Sequence, residues 1–132
     1  MKIATRTPGA TEPSPETQEF WDATKEGRFL VRRCTACGKA HWYPRGICPL
    51  CRSTATVWEQ ASGHGTIYAF SVMRRADPPF VMAYVTLAEG PTMMTNVIEC
   101  ESDDLAIGQA VELVFVPSKG EWPVACFRPS FP

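Results

Sequence analysis

No apolar run in the 132 residues approaches the length needed to cross a membrane. The first twenty residues, MKIATRTPGATEPSPETQEF, lack the apolar core of a secretory signal, so a cytoplasmic location is expected. Catalytic vocabulary is also thin. No glycine-rich phosphate loop is present, and there are only two histidines, His41 and His64. His41 reads as a surface loop histidine and His64 as the tip of a turn. The acids Asp77, Asp103, Asp104 and Glu112 fall in turns or on alternating strand positions, with no spacing that sets up acid–base work. Independent catalysis is therefore the weakest reading.

Cations are scarce in the second half. Residues 1–52 carry 9 Lys+Arg against 5 Asp+Glu, whereas residues 53–132 carry 4 against 9. The +4 and −5 halves sum to the net charge of −1. Only Arg74, Arg75, Lys119 and Arg128 supply positive charge after residue 53. Binding to nucleic-acid phosphates needs clustered Lys and Arg, so that function is disfavoured.

What the chain does have is six cysteines, four of them in the stretch RRCTACGKAHWYPRGICPLCRS. Cys34/Cys37 and Cys48/Cys51 each have the two-residue gap that lets two sulfurs converge on one ion while backbone N–H groups point at the thiolates. A reducing compartment disfavours structural disulfides, so metal binding is the main use for the paired thiols. Sulfur then fills all four tetrahedral positions and leaves none for water or substrate, which makes the metal structural. One Zn(II) per chain is expected, with an iron site, an iron–sulfur cluster or redox thiols as the alternatives. Cys100 and Cys126 are unpaired and read as small buried hydrophobes.

Residues 1–13, with Pro8, Gly9 and Pro13, read as a flexible arm. Ser14-Pro15-Glu16 predicts a helix start, Phe20, Trp21, Ala23 and Thr24 an apolar stripe, and Gly27 the end. The segments GRFLVRRC and ATVWEQ then flank the cysteine pairs as strands, so residues 14–56 form a helix and metal ribbon. Residues 57–132 form the second domain and read as β throughout from Gly63: GTIYAFSV, FVMAYVTL, MMTNVIE, AVELVFV and PVACFRP, separated by turn signals. Five strands in so short a span suit a closed barrel, which has no exposed edges. Alternation puts Tyr68 and Phe70 on one face of their strand.

Taken in order, Cys34-x-x-Cys37-Gly38, Pro44-Arg45, Cys48-Pro49-x-Cys51, SGHGTIYAFSV, PPFVMAYVTLAEGP, LAIGQAVELVF and the closing FRP resemble a known family. These are small prokaryotic proteins in which a rubredoxin-like zinc ribbon precedes an OB-fold, formerly a domain of unknown function and associated with acyl-CoA and thiolase-like enzymes. The resemblance runs from the N-terminal helix to the C-terminus. It implies a mainly β fold, with an N-terminal helix and rubredoxin-like zinc ribbon followed by a five-stranded OB-fold barrel. It also implies a non-catalytic accessory subunit that docks on a thiolase-like, aldolase or hydratase partner and helps hold the CoA thioester or stabilise the complex.

Within that reading, Arg74 and Arg75 are candidates for the CoA phosphates. An exposed Trp42 and Tyr43 beside Arg45 are candidates for partner contact, or else pack locally over the metal site. Because OB-folds and zinc ribbons also serve nucleic acids, a single-stranded nucleic-acid binder is the alternative, with Tyr68 and Phe70 as stacking residues.

Overall fold

The computed structural model describes residues 1–130. In chain order the elements are β1 (Lys2–Ile3), α1 (Gln18–Lys25), β2 (Leu30–Cys34), β3 (Ala40–His41), β4 (Thr56–Gln60), β5 (His64–Met73), β6 (Phe80–Leu87), β7 (Thr92–Val97), β8 (Cys100–Glu101), β9 (Ala110–Val116) and β10 (Val124–Pro129). A short 3-10 turn at Ser102–Asp104 follows β8.

The five strands expected after residue 57 close into a barrel in the order β10-β7-β6-β5-β9, with β10 antiparallel to β9 and parallel to β7. Period-two alternation explains the inward faces. On β6, Val81, Ala83, Val85 and Leu87 are buried, and Met93, Thr95 and Val97 do the same on β7. Gly65 stands where three strands meet, paired with Leu87 on β6 and Val111 on β9. A Cβ there would lie 2.7 Å from Val85 Cγ1 and 2.8 Å from the Thr86 carbonyl oxygen, so only glycine fits.

The ribbon is a second, three-stranded sheet in the order β3-β2-β4. Helix α1 lies against it through Phe20, Ala23 and Thr24, which fall at i, i+3 and i+4 and are all buried. Phe20 contacts Phe29 and Trp42 at centroid distances of 6.0 and 5.1 Å, and Phe29 reaches Phe115 of the barrel at 6.4 Å. Helix, ribbon and barrel therefore share one hydrophobic core, which runs from Phe20 to Phe127. Removing a ring such as Phe20 from it should cost about 3–5 kcal/mol.

Two expectations need correction. The arm is not free of structure: Lys2 and Ile3 pair with Glu101 and Cys100, and Ile3 is 1% exposed. Beyond it, the Arg6 guanidinium stacks 3.7 Å from the Phe80 centroid, and the Lys119 N–H donates to the Pro8 carbonyl at 3.0 Å. One isoleucine among Thr, Ala and Pro has no periodicity to betray it, yet it fills a core position. The helix also begins later than expected. Ser14–Thr17 closes a turn, with the Thr17 N–H on the Ser14 carbonyl at 3.0 Å, and the helix proper starts at Gln18.

Candidate metal centre and exposed barrel face

The two cysteine pairs are built as copies of one turn. In the first, the Cys34 N–H donates to the Lys39 carbonyl and the Gly38 N–H to the Cys34 carbonyl; in the second, Cys48 donates to Ser53 and Arg52 to Cys48, all at 2.8–2.9 Å. Gly38 and Arg52 both take the left-handed conformation that reverses the chain after the second sulfur. The first cysteine of each pair is buried and the second is open to solvent. Backbone N–H groups aim at the sulfurs, from Cys37 to Cys34 Sγ at 3.5 Å and from Leu50 to Cys48 Sγ at 3.4 Å.

All four Sγ atoms lie within 4.8 Å of one another, with Cys34···Cys51 at 3.5 Å and Cys37···Cys48 at 3.8 Å. Tetrahedral ligation at a metal–sulfur distance of about 2.3 Å requires sulfurs roughly 3.8 Å apart, so the donor set fits a metal ion. The electrostatics agree. The Cys34 thiol is held down to about 7, first by the Cys37 N–H. Cys51 is pushed up to about 12, because the lowering effect of the Ser53 N–H is outweighed by the Cys34 sulfur and by burial. Four neighbouring thiols cannot all ionise without a cation among them.

Polar side chains brace both turns. Arg33 donates to Glu59 Oε2 and to the Gly38 carbonyl, each at 2.8 Å. Glu16 accepts the Gly46 N–H at 2.9 Å and an Arg45 N–H at 3.3 Å, tying the segment before α1 to the second turn. Its carboxyl is held below the usual range, first by the Gly46 N–H and then by Arg45.

The remaining candidates are dispersed. Trp42 and Tyr43, expected to be exposed, are half-buried: both rings lie edge-on to Phe20, and Trp21 Nε1–H donates to the Tyr43 hydroxyl at 2.9 Å. They pack toward the helix rather than over the metal site, and only Arg45 of the trio is exposed. His41, expected on the surface, is 3% exposed on β3. Arg74 and Arg75 are exposed past the end of β5 and make no ion pair among the described residues.

Tyr68 and Phe70 do not share a face. The register slips between Ile67 and Ala69, so Tyr68 is the extra residue of a β-bulge. Phe70 then pairs with inward-facing Ala83 and packs on the core, whereas Tyr68 is 66% exposed. Tyr68 joins a band that the sequence had not marked. Tyr84 on β6, opposite Ala69, and Met94 on β7, opposite Tyr84, are also exposed. Ile107, 74% exposed, sits in the loop whose Gly108 N–H bonds the Ile67 carbonyl. Tyr84 and Met94 thus lie side by side on the outside of the barrel, with Tyr68 exposed at the bulge next to Ala69 and Ile107 exposed in the loop beyond.

Against known proteins, the family model described as the ChsH2 rubredoxin-like zinc ribbon domain matches residues 21–57, and that of the ChsH2 C-terminal OB-fold domain matches residues 58–116. The chain belongs to the ChsH2 (DUF35) family. DUF35 domain-containing scaffold proteins of Methanocaldococcus jannaschii and Methanothermobacter thermautotrophicus are each 35% identical, over 72% and 80% of this chain and 73% and 87% of their own. A probable enoyl-CoA hydratase alpha subunit of Thermomonospora curvata is 31% identical over 95% of this chain, which spans 42% of that relative's length. Among solved structures, a chain of the Ltp2-ChsH2(DUF35) aldolase superposes with a TM-score of 0.80 at 28% identity, covering 92% of this chain and 100% of that one.

The family's rubredoxin-like ribbon coincides with the four-sulfur cluster of Cys34, Cys37, Cys48 and Cys51, a cysteine cluster able to hold a metal ion. No helix of the described residues is long and apolar enough to cross a membrane. In this DUF35 chain the exposed band could have been found in the sequence only from Tyr84 and Met94, which occupy the outward phase of their strands where polar residues are the rule.

Proposed function

We propose that the chain is a cytoplasmic, non-catalytic accessory subunit that docks on an acyl-CoA enzyme of thiolase-like, aldolase or hydratase type and helps hold the CoA thioester or stabilise the complex. The observation that carries this reading is the band of Tyr68, Tyr84, Met94 and Ile107. Large apolar side chains left exposed on and beside adjoining strands suit a protein interface. The names of the relatives supply the class of partner, an enoyl-CoA hydratase subunit and an aldolase complex. A metal held by four sulfurs has no open position for chemistry, and zinc is its identity in this proposal. Arg74 and Arg75, free of carboxylate partners among the described residues, are assigned to anionic groups of CoA.

The test is a tagged pull-down from the native host, with mass spectrometry of the captured proteins and metal analysis of the same sample. Recovery of an acyl-CoA enzyme with about one zinc per chain supports the proposal. Recovery of ribosomal or DNA-associated proteins, or of this chain alone, overturns it. Single-stranded nucleic acid gains a stacking pair in Tyr68 and Tyr84, but the −5 charge of residues 53–132 opposes it.

A further inference from the structure

The segment after β1 crosses the outside of the barrel as a strap fixed at two points. Ile3 pairs with Cys100 before it, and the Lys119 N–H bonds the Pro8 carbonyl at 3.0 Å near its end. Between these anchors Ala4, Thr5, Arg6 and Thr7 are exposed, with no backbone hydrogen bond among the described residues. The strap roofs a cavity of about 160 Å3 whose apolar floor is Phe80, Ile98 and Cys126. Cys126 faces out of the barrel, since Phe127 beside it is buried in the main core, and it joins Ile98 in a separate apolar cluster. An outward cysteine that is 3% exposed must be covered, and the strap residues sharing its cavity cover it.

Arg6 is the one charged residue of this lining, and it makes no ion pair among the described residues. Its guanidinium lies 3.7 Å from the Phe80 centroid. Stacking occupies the face of the guanidinium plane and leaves the N–H donors along its edge free for a planar, bidentate acceptor. The charge reaches the floor of the cavity: burial pushes the Cys126 thiol up to about 11, and Arg6 acts against that rise. Asn96, the other polar side chain of the lining, is held by the Val81 carbonyl at 3.0 Å. A free guanidinium edge beside an apolar hollow selects a ligand with a carboxylate at one end and a short apolar tail at the other.

We propose that this cavity binds a small free carboxylic acid, with the carboxylate on the guanidinium edge of Arg6 and the tail on Phe80, Ile98 and Cys126 beneath the strap. An apolar cavity of about 150 Å3 is enough for a benzene ring, so the tail is limited to about six carbons. An exposed ion pair contributes modestly, and the buried tail carries most of the affinity. The strap, unbonded between its anchors, lifts to admit the ligand, and a ligand that touches both strap and barrel holds it down. Arg74 and Arg75 line a different hollow beside Phe80 and are not part of this site.

The test is an NMR titration of the metal-loaded full chain with acetate, butyrate, hexanoate and octanoate, and with hexanamide as the uncharged match. Saturable shifts centred on the amides of Arg6, Asn96, Ile98 and Cys126 are expected. Affinity should rise about three- to fourfold per methylene as far as hexanoate and level off at octanoate, because the cavity is then full. Hexanamide should bind about fivefold more weakly than hexanoate, and Arg6→Gln should bring hexanoate down to the level of hexanamide while leaving hexanamide unchanged. The chain-length series is read on the unaltered protein, so it decides the proposal even where Arg6→Gln loosens the strap. Arg74→Gln combined with Arg75→Gln should leave hexanoate binding unchanged. A loss in that double variant equal to the loss in Arg6→Gln, shifts centred on Tyr84 and Met94, a rise that continues through octanoate, or no saturable response to any of the acids overturns the site.

Discussion

Gly38 and Arg52 occupy equivalent positions in the two cysteine turns: each follows the second sulfur of its pair, with φ of 77° and 67°, and each donates its N–H to the carbonyl of the first cysteine. One position has the residue that this conformation favours and the other does not. A side chain in the left-handed region carries a penalty of about 1–2 kcal/mol that glycine avoids, partly offset by glycine's greater freedom when unfolded. Arg52→Gly should therefore raise stability by about 0.5–1 kcal/mol, and Gly38→Ala should lower it by about 1 kcal/mol. Denaturant midpoints with an unchanged slope would check both.

Metal removal should separate the two halves of the molecule. Structural zinc contributes about 10–16 kcal/mol to the folding of isolated finger peptides, so chelation or Cys48→Ser should unfold the ribbon. The barrel ladder of β5, β6, β7, β9 and β10 contains none of the four ligand cysteines. Hydrogen exchange should show barrel amides still protected while those of β2 to β4 exchange freely. Loss of protection in both would show that the shared core of Phe29 and Phe115 makes one folding unit. A colourless metal-loaded protein is expected for zinc, whereas iron in four thiolates absorbs visible light.

The contact of Glu16 with Gly46 predicts a sign for the acid response. Its folded pKa is lowered, so its contribution is present above the unfolded carboxylate pKa and disappears as pH falls through the folded value. Thermal melts across the acid range should show that Glu16→Gln flattens this part of the stability profile. An unchanged acid limb would remove Glu16 from the linkage.

Gly65→Ala tests the closure of the barrel. The added methyl meets Val85 Cγ1 and the backbone carbonyl of Thr86 inside 3 Å, and the carbonyl cannot rotate away. A loss of about 1–3 kcal/mol is expected, read as a lower midpoint with metal content unchanged.

Two aromatic positions should respond in opposite ways. Trp42→Ala removes a ring packed on Phe20 and Phe29 and should lower stability by about 2–4 kcal/mol. Tyr84→Glu places a charge in the exposed band, changes stability by no more than about 0.5 kcal/mol, and should abolish capture of the partner enzyme. Capture unaffected by Tyr84→Glu would move the interface elsewhere on the surface.

Local patterns by themselves marked the clustered cysteines and the strands of the barrel. A two-residue gap between cysteines and a period of two along a strand are written in consecutive positions, and β6 alternates along its whole length. Tertiary contacts decided the rest. Ile3 becomes a core residue only because Cys100, far along the chain, offers it a pairing edge. Trp42 and Tyr43 turn inward because a helix more than twenty residues earlier brings Phe20 and Trp21 to meet them. The bulge at Tyr68 reverses the face of Phe70, and no alternation can announce an extra residue whose presence is defined by the partner strand.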